Sequence, residues 1–153
     1  MKSENTLLEQ LIKTFKILPG IGEKSAQRMA FYLLEKNRIG GKNLANLLLS
    51  SMEQIRNCSI CRNFTEEIEC EICSNNKRDN NLICVVENPT DVIAIESSGC
   101  FKGKYFVLMG RLSPIDGVTP DNLGIPSLVN RIMESEIKEV IIATSPTVEG
   151  DAT

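Results

Sequence analysis

Cysteine is the residue type best placed to do chemistry in this 153-residue chain, and four of its six copies are spaced for it. Cys58-Ser59-Ile60-Cys61, an eight-residue interval and Cys70-Glu71-Ile72-Cys73 form two Cys-x-x-Cys knuckles. Each knuckle sets two thiolates on one tight turn, and the interval is long enough for the second pair to complete a tetrahedron. Four sulfur ligands are soft and select Zn²⁺ over Mg²⁺ or Ca²⁺. The chain has no histidine, so an all-thiolate site is the closed zinc site its residues allow. Four protein ligands leave no position for a metal-bound water, which makes such a site structural. The competing readings are paired disulfides, which suit a secreted chain, and a redox motif, which normally occurs singly beside a βαβ unit. Cys84 lies in an apolar run and reads as core; Cys100 lies in a loop and is assigned no role.

A second constellation is cationic. Leu18-Pro19-Gly20-Ile21-Gly22 is followed by Lys24 and Arg28, four residues apart and so on one helical face. Gly20 and Gly22 let a phosphate approach the backbone, and the free N–H groups that open the next helix point toward it. Lys24 and Arg28 would add two phosphate contacts, which position a protein without reading bases. Sequence-nonspecific DNA binding is expected; the alternative is a plain turn between helices with solvated charges beside it. One hairpin neutralises few phosphates, so binding would be weak and salt-sensitive unless several copies act together, which argues for a homo-oligomer.

Acids form the third. Glu87 follows the apolar run Leu82–Val86, and Glu149-Gly150-Asp151 follows the run 140–144. Functional groups of open α/β sheets gather beyond the carboxyl ends of the strands. If the two strands are neighbours, three carboxylates converge on a site suited to Mg²⁺; otherwise they are solvated loop acids. This layout, a glutamate after one strand and an acid-x-acid after another, is that of the Toprim fold of topoisomerases and primases.

The elements that must carry these groups can be read from apolar periodicity. Leu7, Leu8, Leu11, Ile12 and Phe15 share one helical face, and Pro19 with the glycines breaks that helix. A second stripe is Ala26, Met29, Ala30, Leu33 and Leu34; a third, after a break at Gly40-Gly41, is Leu44, Leu47, Leu48, Met52 and Ile55. The front, 1–56, is therefore a small helical helix-hairpin-helix domain, and 57–80 is a four-cysteine zinc finger. From 81 to 153, strands at 82–86, 105–108 and 140–144 alternate with helices at 92–98, opened by Asn88 and Pro89, and around 126–135. That pattern indicates an open, mainly parallel α/β sheet. The chain stops at Thr153, where a covering helix is expected to begin, so a truncated chain is expected.

Hydrophobic and charged fractions of 42% and 24% are those of a globular protein. Apolar runs are too short to cross a bilayer, and the polar start at residues 1–6 is unlike a secretory signal, so no membrane association and a cytoplasmic location are expected. The net charge of −3 is segregated: +4 over 1–56, −2 over 57–80 and −5 over 81–153. A basic front suits a polyanion and an acidic back suits cations or basic partners.

The ordered parts resemble the RecR family of bacterial recombination mediators. The resemblance rests on Leu18 to Arg28, the four-cysteine finger, Val85-Val86-Glu87-Asn88-Pro89-Thr90-Asp91, residues 105–110 and 112–117, and Ala143 to Gly150. It implies a non-enzymatic scaffold of recombinational DNA repair, assembled as a ring, commonly a tetramer, that acts with RecO and RecF to load RecA at single-strand gaps. By motif position it implies DNA contacts from Lys24 and Arg28, zinc ligands at Cys58, Cys61, Cys70 and Cys73, and acids at Glu87, Glu149 and Asp151 linked more to partner docking than to catalysis. The chain departs from the family in two ways. Members continue past this endpoint with a segment that helps close the ring, and the Toprim Asp-x-Asp is Glu149-x-Asp151 here. The alternatives are a Mg²⁺-dependent nuclease or nucleotidyl-transfer enzyme of the Toprim class, for which no histidine is present and the tyrosines, Tyr32 and Tyr105, fall inside elements, and a zinc-dependent adaptor that binds protein only.

Overall fold

The computed structural model describes residues 6–153; the polar start at 1–5 lies outside the described residues. The chain divides into two compact units, Met1–Gln54 and Ile55–Thr153.

The first unit holds α1 (Leu7–Phe15), α2 (Glu23–Glu35) and α3 (Arg38–Gln54). Thr6 and Glu9 close a reciprocal capping box on α1, which satisfies two amides that the helix leaves open. α2 packs against both α1 and α3. Its fully buried residues are Ala26 and Ala30, whose small side chains allow close approach of the helices. The expected break at Gly40-Gly41 is not one: both glycines lie within the first turn of α3. The Asn37 carboxamide accepts from the Gly40 N–H at 2.8 Å, so a cap at Asn37 offsets the poor helix propensity of the pair. The third apolar stripe is exposed within this unit, Leu47 at 66%, Leu48 at 53% and Met52 at 77%.

The second unit starts with a two-stranded antiparallel ribbon, β1 (Arg56–Asn57) with β2 (Phe64–Thr65), and the short helix α4 (Glu71–Ser74). Next come β3 (Leu82–Val86), α5 (Pro89–Ser98), β4 (Lys104–Val107), α6 (Ile125–Glu134), β5 (Glu139–Ala143) and α7 (Val148–Ala152). The sheet order is β4-β3-β5, parallel throughout, with Val86 opposite both Val107 and Ala143. α5 has Asn88 as its cap, Pro89 in its first turn and Gly99 in the left-handed conformation at its end, as the sequence indicates.

β3 is buried on both faces, which explains its uninterrupted apolar run. Ile83 and Val85 join Phe106, Leu108, Leu123 and Leu128 on one side. Cys84 and Val86 join Val92, Tyr105 and Val107 on the other, where Ile72 of the finger also packs. Cys84 is thus a core residue. The edge strand β5 remains exposed at Ile142 (69%). Among the described residues no helix is long and apolar enough to cross a membrane.

Candidate functional site

The finger is built from its turns. Arg62 takes a positive φ of 67° directly after Cys61, and its N–H donates to the Cys58 carbonyl at 2.9 Å, closing the first knuckle. The Cys58 N–H donates to the Asn63 carbonyl at 2.7 Å, so the β1–β2 ribbon presents this knuckle. The second knuckle is the first turn of α4, where the Ser74 N–H donates to the Cys70 carbonyl at 3.0 Å. The Cys70 N–H points at the Cys58 sulfur at 3.3 Å, joining the two halves. All four Sγ atoms lie within 4.8 Å of one another. Tetrahedral bonds of about 2.3 Å from zinc to sulfur require edges of about 3.8 Å, and Cys61 and Cys70 already stand 3.5 Å apart.

Without a cation these sulfurs compete for protons. Hydrogen bonds from Cys61 and then Cys73 hold the Cys70 thiol well below its ordinary range. Hydrogen bonds to Cys61 and then Cys70 push Cys73 up, and Cys61 is pushed up to about 12, first by its bond to Cys70. A divalent ion replaces that proton sharing with four thiolate bonds. Cys58, Cys61 and Cys70 are buried and Cys73 half-buried, so protein encloses the donor set. The residues fit one structural zinc ion.

In the hairpin, Gly20 has φ +78°, and Gly22 caps α2 through its backbone, with its carbonyl accepting from Ala26 at 3.0 Å. No side chain caps this end, which leaves the first-turn amides of α2 open. A side chain built at Gly20 or Gly22 would meet nothing within 4 Å, so the approach is clear. Lys24 and Arg28 are exposed and share one shallow face with Ser25, Gln27, Met29 and Tyr32. The acid of this turn, Glu23, is hydrogen-bonded to Lys16, which holds its carboxyl below the usual range and offsets its repulsion of an anion. Among the described residues neither Lys24 nor Arg28 is in an ion pair.

The acids are placed differently from the loop expected of them. β3 and β5 are neighbours, so Glu87 does lie beside the segment that follows β5. Glu87, only 5% exposed, accepts from the Ser145 N–H at 2.8 Å and from its hydroxyl at 2.6 Å. Glu149 and Asp151 lie in α7, capped by Thr147, so the helix expected beyond Thr153 already includes them. Gly150 is buried against the same corner, where a Cβ would stand 2.0 Å from the Ser145 carbonyl oxygen and 3.3 Å from Glu87. Among the described residues, the four cysteines are the group of three or more ligating side chains gathered closely enough to hold a metal; the three acids are not brought together in that way.

Sequence reasoning missed Ser145, and also Lys104 of β4 and Arg131 of α6, which reach into the finger. A lysine at the head of an apolar strand was the available signal, because a buried ammonium must find acceptors.

Three family models match successive parts of the chain. The helix-hairpin-helix domain of RecR matches residues 8–52, the RecR four-cysteine zinc finger domain residues 55–75 and the Toprim domain residues 81–153. Recombination protein RecR of Saccharophagus degradans is 54% identical over 147 residues, which is 96% of this chain and 75% of that protein. The finger match and the gathered sulfurs together establish one structural zinc.

Proposed function

Because this chain belongs to the RecR family of recombination proteins, we propose that it is a non-enzymatic scaffold of recombinational DNA repair that grips the sugar-phosphate backbone through its helix-hairpin-helix. The observation that carries this reading is the uncapped start of α2, open at Gly20 and Gly22, with Lys24 and Arg28 on the adjoining face. Amide donors and two cations there suit phosphate of any sequence. The domain layout proposed is 1–56 for DNA, 57–80 for zinc and 81–153 for the Toprim-like part.

The single hairpin argues for assembly into a ring of several copies, commonly four in this family. The exposed leucines of α3 supply apolar surface that a second copy would cover. RecO- and RecF-type proteins are the proposed partners, with loading of RecA at single-strand gaps as the outcome and the cytoplasm as the setting. Glu87 is read as a structural acid that holds Ser145, and Glu149 and Asp151 as partner-docking acids in preference to Mg²⁺ ligands, because Glu87 already has both oxygens engaged.

The test is DNA binding by the Lys24→Ala, Arg28→Ala double variant across a salt series. A sequence-independent loss with the fold intact supports the scaffold; unchanged binding favours a protein-only adaptor. Mg²⁺-dependent strand cleavage abolished by Glu87→Gln would favour the enzyme instead.

A further inference from the structure

Lys104 opens β4 and is 5% exposed, yet among the described residues it has no carboxylate partner. Its ammonium donates instead to the main-chain carbonyls of Ile72, Cys73 and Asn75, each at 2.9 Å. An ammonium has three donors, and all three are spent on the segment that carries the second knuckle. Arg131, from α6, treats the first knuckle similarly. One of its guanidinium nitrogens donates to the Ile60 carbonyl at 3.3 Å and to the Tyr105 carbonyl of β4 at 2.9 Å. Between them the Val107 N–H donates to the Cys61 carbonyl at 2.8 Å. Both knuckles are therefore fixed by donors of β4 and α6, and Lys104, Arg131, Ile60 and Cys73 line one cleft, whose rim also carries Asp79 and Glu136.

Burying an ammonium without a carboxylate is costly unless something nearby is negative. Zn²⁺ bound by four thiolates leaves roughly two negative charges in excess. Cations placed on the carbonyls of the ligand turns offset that charge and fix where the sulfurs point, as outer-shell groups of metal sites commonly do.

We propose that Lys104 and Arg131 are positioning residues of the zinc centre, so that the affinity for zinc depends on the strand and helix of the following sheet domain. In the metal-loaded protein, Lys104→Met keeps the aliphatic stem and removes the three donors. Its zinc affinity, measured by competition with a chelator of known affinity, is expected to fall by about 10- to 100-fold. Arg131→Met is expected to lose less, and Lys102→Met, an exposed neighbour of the same charge, nothing. A purely packing role would lower the thermal midpoint and leave zinc affinity at that of Lys102→Met; that result overturns the proposal. Should Lys104→Met fail to fold, the unmodified protein answers. Stripping zinc is expected to raise amide exchange at Val107 by about tenfold or more, and unchanged protection there rejects the coupling.

Discussion

Glu87 and Ser145, 58 positions apart, form a closed pair at the carboxyl end of the sheet: the serine N–H and hydroxyl each donate to one of the two glutamate oxygens. The pair locks β3 to the turn after β5. With the carboxylate 5% exposed, Ser145→Ala removes one donor and leaves a buried oxygen short of a partner. The expected cost is about 1–3 kcal/mol in chemical denaturation, with zinc content unchanged. A neutral result would mean that water reaches the site.

The DNA prediction has a slope as well as a size. Each phosphate-binding cation removed should lower the magnitude of the salt dependence by about one unit on a log–log plot. Lys24→Ala with Arg28→Ala should thus lower it by about two, equally for different sequences. Both residues are exposed, so stability should stay within about 0.5 kcal/mol of the parent. A slope that does not move would remove these two residues from the interface.

Gly20 is held at φ +78° in open space, so a methyl group there meets no atom but does meet backbone strain. Gly20→Ala should cost about 1–2 kcal/mol, read from thermal unfolding. It should also weaken DNA binding if the turn lies against phosphate.

Acid should act on the finger first. Four thiolates are needed for zinc, and falling pH returns protons to them, so zinc release on acidification is expected to precede loss of the sheet. Metal content against pH, followed with circular dichroism, checks the order. Strong chelator at neutral pH should disorder residues 58–73 in the same way, and a finger that stays folded would refute its structural role.

A second pH effect belongs to Glu96. Burial raises its carboxyl, but hydrogen bonds from Tyr105 (2.6 Å) and Arg78 outweigh that, and the net shift is below the ordinary 4.5. A lowered folded value favours the folded state above the ordinary pKa. That contribution should be complete above about pH 4.5 and vanish as pH falls through the lowered value. Glu96→Gln should flatten this limb of the stability profile; an unchanged limb would place its origin in other acids.

What could be read directly was local. The knuckle spacing of Cys58 to Cys73, the Asn88-Pro89 start of α5 and the turn at Gly20 follow from bonding within a few residues, so sequence order suffices. The run Leu82–Val86 announced a buried strand because both its faces are covered. The Gly40-Gly41 break failed because one side chain, Asn37, supplied the cap that composition could not weigh. The stripe on α3 announced a helix correctly but not what would cover it.

The chain's own order therefore determined which residues could chelate, cap, turn and pair with phosphate. Only the tertiary structure decided that Glu87 is spent on Ser145 and that the ammonium of Lys104 ends on the carbonyls of a zinc knuckle 31 residues earlier. The physical reason is that a buried polar group must satisfy its hydrogen bonds, and its partners are fixed by which strands lie side by side, a relation that no local spacing encodes.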